Sequence, residues 1–138
     1  MSRVQMLFKS CSALAGAYAG YFFGPMSPLI NALVILAILD YLTGIIASAY
    51  EGKLSSSVGF KGILKKIAIF CIVAVAHSLD TLLGGHYIRD ATIFFYLSNE
   101  LLSIIENAGR TKIPLPPVIR KAFLVLKQKG EEKEKKTD

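Results

Sequence analysis

Apolar residues along this chain fall into four blocks separated by polar breaks. The first covers residues 6–23 and carries Lys9 near its start. The second, residues 29–50, is the clearest and has Asp40 at its middle. At about 1.5 Å per residue, a helix of that length crosses a hydrocarbon core of about 30 Å. The third, residues 63–83, opens with Lys65 and Lys66. The fourth, residues 88–105, is interrupted by Asp90, Asn99 and Glu100. A helix that polar spans a bilayer only when packed against partners, or lies partly at the interface. The pattern predicts an all-α integral membrane protein with three to four transmembrane helices.

The breaks carry the residues that end helices. Gly24-Pro25-Met26-Ser27-Pro28 separates blocks one and two. Residues 51–62 form a polar loop with Gly52, Gly59 and three consecutive serines. Gly84-Gly85 closes block three and Ala108-Gly109 closes block four, with Pro114, Pro116 and Pro117 excluding helix immediately beyond. A short amphipathic helix is expected over residues 117–128. Leu115, Val118, Ile119, Ala122, Phe123 and Leu126 recur at helical spacing there, among Arg120, Lys121 and Lys127. Such a helix lies on a membrane surface or packs on a neighbouring copy. Residues 130–138 are nearly all charged, which predicts disorder. Two units follow: a transmembrane helical domain over residues 1–109 and a basic cytoplasmic tail over residues 110–138.

Composition sharpens this picture. Of 138 residues, 53% are apolar and 19% charged, with a mean hydropathy of +0.49. Soluble domains carry nearer to about 25% charged residues. A disordered chain and a disulfide-rich secreted scaffold are excluded. The net charge of +6 is concentrated in residues 110–138, which hold nine Lys and Arg against four Asp and Glu. Beside apolar blocks, a basic tail marks the cytoplasmic side of a bilayer rather than a nucleic-acid surface. Lys53, Lys61, Lys65 and Lys66 put the loop between blocks two and three on that same side. With four spans both termini are cytoplasmic, in agreement with Arg3 and Lys9. Cys11 and Cys71 sit inside apolar stretches and read as small, unpaired core residues. Ala15-Gly16-Ala17 has the look of a signal-peptidase site, but the Gly- and aromatic-rich run around it reads as a retained first membrane segment.

Several residues invite a functional reading. Asp40 shares a helix face with Gly44, Ala47, Ser48 and Glu51. A carboxylate at bilayer depth costs about 2.5–3.5 kcal/mol on insertion scales, so Asp40 must face protein or water. It is either a pore-lining, proton-sensitive group or a packing carboxylate bonded to a neighbouring helix. His77 and Asp80 lie one turn apart. They suit a mutual hydrogen bond better than a metal, for which a third ligand is missing. Block four carries a polar stripe of Tyr96, Asn99, Glu100, Ser103, Glu106 and Asn107, fit to meet water inside an assembly or at an ordinary solvated face. Gly16, Gly20 and Gly24 repeat at the spacing that lets membrane helices approach closely. No phosphate loop, nucleophile motif or zinc spacing is present, nor basic residues interleaved with aromatics. The sequence therefore implies no enzyme, cofactor, metal or nucleic-acid partner.

The ordered motifs nevertheless form a recognisable set. Asp40-x-x-Thr43-Gly44 is followed by Glu51-Gly52-Lys53-Leu54-Ser55-Ser56, then Gly59-x-Lys61-Gly62 and Lys65-Lys66. Asp80 comes next, then Asn99-Glu100-x-x-Ser103-Ile104-x-Glu106-Asn107 and Pro114-x-Pro116. Over residues 29–126 this resembles the toxin secretion/phage lysis holin family. The resemblance implies a lysis protein that accumulates in the bacterial cytoplasmic membrane, clusters with itself at a set time and opens large lesions. A cytoplasmic endolysin, or in some relatives a toxin, then escapes without binding the holin directly. No catalytic residues transfer. On this reading Asp40, Asp80, Glu100, Ser103 and Glu106 lie on wettable or pore-lining faces. Gly16, Gly20, Gly24, Gly44 and Ser48 serve helix packing. Met1 and Met6 bracket Arg3, so two starts would give products differing by one charge at the N-terminus. Two other classes fit the bare pattern: a small ion-conducting channel, and a membrane scaffold whose basic tail recruits a partner.

Overall fold

The computed structural model describes residues 2–137, which form five helices and no strand. They are α1 (Arg3–Phe23), α2 (Pro28–Tyr50), α3 (Ser56–Leu83), α4 (Tyr87–Arg110) and α5 (Pro117–Thr137). The first three start at serine caps. The hydroxyls of Ser2, Ser27 and Ser55 accept the N–H groups of Gln5, Ile30 and Val58. Each satisfies one of the donors that a helix start leaves open. Pro28 occupies the first turn of α2, where its missing N–H costs nothing. Because Ser55 caps it, α3 begins well ahead of the apolar block at residue 63. Gly59 and Gly62 lie under the Tyr41 ring of α2, and a Cβ on Gly62 would sit 3.0 Å from that ring.

α4 is the central helix, packed against α2, α3 and α5. Residues 25–27 meet Arg89 at one end of the bundle, and Glu51 meets Arg110 at the other, so α2 and α4 run parallel. Ile30 and Leu33 of α2, Ile69 and Val73 of α3, and Ile93, Phe94 and Leu97 of α4 form the apolar core. It fills the half beside the α1–α2 and α3–α4 turns. α1 packs against α3 alone, near its own C-terminus, where Phe23 meets Phe70 edge-on at 6.1 Å.

Two expectations are corrected. The segment from Gly130 is helical through Thr137 rather than disordered, and Asp138 lies outside the described residues. α5 passes Phe94 at Gly130, where a Cβ would sit in ordinary contact 3.5 Å away. Lys133 then reaches Asp90 at 3.1 Å and stands 4.7 Å over the Phe94 ring. Glu131/Lys135 and Glu132/Lys136 have the i,i+4 order that favours helix. The cysteines are free and exposed, not core residues: α1 buries nothing, and Cys71 is on an outward face of α3.

The distribution of polarity is inverted relative to a water-soluble bundle. Asp40, Ser48, Asp80, Glu100 and Asn107 are buried, while Ile35, Ile38, Leu42 and Ile46 of α2 and Ile67, Val75 and Leu79 of α3 are exposed. Among the described residues α2 is the one helix long and apolar enough, by length and composition, to cross a membrane. α3 and α4 carry ionisable residues along their length.

Candidate functional site

The half of the bundle not filled by the apolar core holds a polar layer joining three helices. The Lys66 ammonium of α3 donates to Asp40 Oδ2 of α2 and to Glu100 Oε2 of α4. Glu100 is 1% exposed and Asp40 7%. Asn107, two turns further along the same face of α4, donates its amide to Asp40 Oδ1 at 3.1 Å, to the Asp40 carbonyl at 3.3 Å and to Thr43 Oγ1 at 3.0 Å. Its own oxygen accepts from Arg110 at 3.2 Å. Arg110 completes the line with a fork onto Glu51, its Nε 2.8 Å from Oε1 and a terminal nitrogen 3.3 Å from Oε2. Ser48 accepts from the same guanidinium at 3.4 Å. The hydrogen bond from Arg110 holds the Glu51 carboxyl below its ordinary pKa; desolvation opposes it, and the nearby charges of Arg110 and Lys53 add to it.

The helix face carrying Asp40, Gly44, Ala47, Ser48 and Glu51 is thus the one turned to α4. Asn107 lies over Gly44; a Cβ there would sit 3.6 Å from the amide nitrogen, in ordinary contact. One ammonium is shared between two carboxyl groups in the Lys66 cluster. Each partner desolvates the others, and pairing offsets that cost only while all remain in place.

Asp80 is separate. Its two oxygens accept the N–H groups of Ile88 at 3.0 Å and Arg89 at 2.8 Å, so it caps α4 from across the α3–α4 turn. The residue at the cap position itself, His86, makes no side-chain cap bond. This replaces the expected bond between Asp80 and His77, whose ring packs instead against Gly24. Arg89 donates to the Pro25 carbonyl at 3.1 Å and to Ser27 Oγ at 3.2 Å, tying α4 to the α1–α2 turn.

The remaining candidates are more open. Ser103 is half-buried and Glu106 exposed; both line a shallow groove with Lys65, Ala68, Tyr96 and Asn99. Gly16 and Gly20 have no neighbour within 4 Å in the single chain. Lys53, Lys61 and Lys65 are exposed. Lys66, grouped with them in sequence as a loop charge, turns inward. Neighbouring residues on a helix point about 100° apart, so Lys65 and Lys66 cannot share one face. That was the available signal for Lys66. Asn107, Thr43 and Arg110 carried no comparable mark. Among the described residues no group of three or more His, Cys, Asp or Glu is placed to hold a metal.

The sequence profile of the bacteriophage holin family matches residues 17–128. A protein of Listeria monocytogenes is 49% identical over 89% of this chain and 89% of its own length. A protein encoded 3′ of nagH in Clostridium perfringens is 39% identical over 74% of this chain and 78% of its own. A probable holin of Bacillus phage phi105 is 32% identical over 86% of this chain and 87% of its own. No solved structure matches.

Proposed function

From the premise that the chain belongs to the bacteriophage holin family, we propose that it is a multi-pass protein of the bacterial cytoplasmic membrane that assembles with copies of itself and opens lesions. On this reading α2, α3 and α4 cross the bilayer, and the Glu51–Arg110 end and the basic tail face the cytoplasm. The lesions pass a cytoplasmic endolysin, or a toxin, that makes no direct contact with the holin. The observation that carries the proposal is Lys66 bonded to both Asp40 and Glu100 inside a bundle whose outer surface is apolar. A hole former must carry wettable faces and keep them hidden until it triggers. Exposed apolar side chains on α2 and α3 suit lipid, and the charges needed to line an aqueous lumen are held inward against each other. Rotation or separation of the helices in a cluster turns those charges toward water, which repays their desolvation.

The test is induced expression in bacteria, with and without a cytosolic wall-degrading enzyme. Membrane potential, culture density and leakage of a large cytosolic reporter are followed together. The expected result is abrupt depolarisation with reporter leakage, and lysis only when the enzyme is present. Depolarisation with the reporter retained would instead identify a small channel, and unchanged potential a scaffold.

A further inference from the structure

Residues 110–130 contain six Lys and Arg and no Asp or Glu; Glu131, Glu132, Glu134 and Asp138 all come after them. In α5 the side bearing Phe123, Leu126 and Gly130 faces α4. The opposite side carries Val118 at 73% exposure, Leu124 at 58% and Val125 at 51%, with exposed Lys121 among them and Arg120 and Lys129 at its flanks. Over residues 117–130 this face mixes large apolar side chains with cations and carries no anion, Glu132 being the first on it, and such a surface is matched to the headgroup boundary of an anionic bilayer.

The seat on α4 is at odds with a bilayer. α5 has 21 residues, a length of about 30 Å at 1.5 Å per residue, which is close to the hydrocarbon thickness. It runs antiparallel to α4, so Lys133 meets Asp90 at the end of the bundle opposite Arg110. If α2 and α4 span, docked α5 carries the charges from Lys127 to Lys136 through hydrocarbon depth, which is expensive for each of them. The connection to α4 offers another course. Lys112 has a left-handed φ of 58°, and Pro114, Pro116 and Pro117 follow it. That linker lets α5 leave α4 without disturbing Arg110.

We propose that the outward face of α5 binds an anionic phospholipid surface on the Arg110 side of the membrane, and that this seat and the seat on α4 exclude one another. On α4 the helix stands along the bundle axis; on lipid it lies in the membrane plane and uncovers the groove formed by Ala91, Phe95, Asn99 and Leu102. The proposal rests on the reading of the chain as a membrane protein, and not on hole formation.

The test uses the full chain, with Cys11→Ser and Cys71→Ser, in vesicles of phosphatidylcholine alone or with phosphatidylglycerol. One sample carries a polarity-sensitive dye at Val125→Cys; another carries spin labels at Tyr87→Cys and Glu132→Cys. Phosphatidylglycerol is expected to blue-shift the dye and lengthen the spin–spin distance relative to phosphatidylcholine. Both changes should vanish in about 1 M NaCl, where the screening length is about 3 Å, and in the Arg120→Gln/Lys121→Gln/Lys127→Gln/Lys129→Gln variant. Equal dye emission in the two lipids, or an unchanged short distance, overturns the proposal. So does a shift that follows protein density at fixed lipid composition, which assigns the face to a second copy. Vesicle flotation is measured on every sample. A chain that fails to float with either lipid overturns the membrane reading beneath the proposal, and is thereby told apart from a failure of α5 alone.

Discussion

Lys66 on α3 and Glu100 on α4 are bonded inside the bundle, and Asp40 on α2 holds the same ammonium from the other side. Three helices are therefore joined at a single nitrogen. Replacing Lys66 with Met leaves two buried carboxylates facing each other with no counter-charge. Loss of one partner from a buried ion pair costs about 3–5 kcal/mol, and a shift of that size in detergent unfolding is expected. Adding Asp40→Asn and Glu100→Gln to Lys66→Met should recover most of it, because no uncompensated charge remains. Equal stability of the Lys66→Met single variant and the starting protein would show that the cluster holds nothing together. In cells, Asp40→Asn should alter lysis timing while leaving insertion intact, read as the interval from induction to depolarisation at matched membrane content.

Asp80 fastens the α3–α4 corner by a different route. It accepts two N–H groups at the start of α4 that no residue of α4 itself satisfies. A negative charge there also opposes the positive end of the helix dipole. Asp80→Ala should cost about 1–2 kcal/mol, the usual penalty for losing a cap, and Asp80→Asn less. Hydrogen exchange at Ile88 and Arg89 is the direct measurement. Protection should fall at those amides before it falls at Leu97.

How much of this was legible in sequence depends on what determined each feature. Breaker clusters and apolar length, which act locally, marked the first three helices, but the Ser55 cap went unread, so residues 56–62 of α3 were expected to be loop. The inward face of α2 was also readable, since Asp40, Gly44, Ser48 and Glu51 recur at helical spacing and a membrane carboxylate must find a partner. The identity of that partner was not, because Lys66 became a core residue only through the rotation of α3 against α2 and α4. Asp80 was assigned to His77 by sequence proximity. The closer acceptor role lay across a turn, at backbone N–H groups that a side-chain reading does not see. The end of α5 meets α4 through Lys133, which reaches Asp90 and Phe94, residues some forty positions earlier that no local pattern pairs with it.

Gly24 closes the α1–α2 turn under a double constraint. Its φ of 80° and ψ of −176° belong to a region that only glycine occupies readily, and a Cβ would stand 2.9 Å from the His77 ring. Backbone strain of this kind costs about 1–3 kcal/mol. Gly24→Ala is therefore expected to destabilise the turn by at least that much. Adding His77→Ala removes the clash with the ring but leaves the backbone strain and the Arg89 guanidinium 3.2 Å from the Cβ, so the double variant should recover only part of the loss. Full recovery would assign the whole effect to the ring.

The Glu51–Arg110 fork gives the Arg110 end of the bundle a defined response to acid. Arg110 holds the Glu51 carboxyl below its ordinary pKa, so the folded state binds that proton less readily than the unfolded chain does. The contribution is thus complete above the unfolded value, about 4.3. It is lost as pH falls through the lower folded value. Between pH 6 and 8 the pair contributes no pH dependence. Arg110→Lys keeps the charge but loses the two-point fork, and should let the Glu51 titration rise toward its ordinary position. Carbon-detected NMR of the Glu51 carboxyl in detergent reads this directly. A titration midpoint at the ordinary glutamate value in the unsubstituted protein, unmoved by Arg110→Lys, would mean that the fork does not persist in solution and that α2 and α4 are held at this end by Asn107 and Ser48 alone.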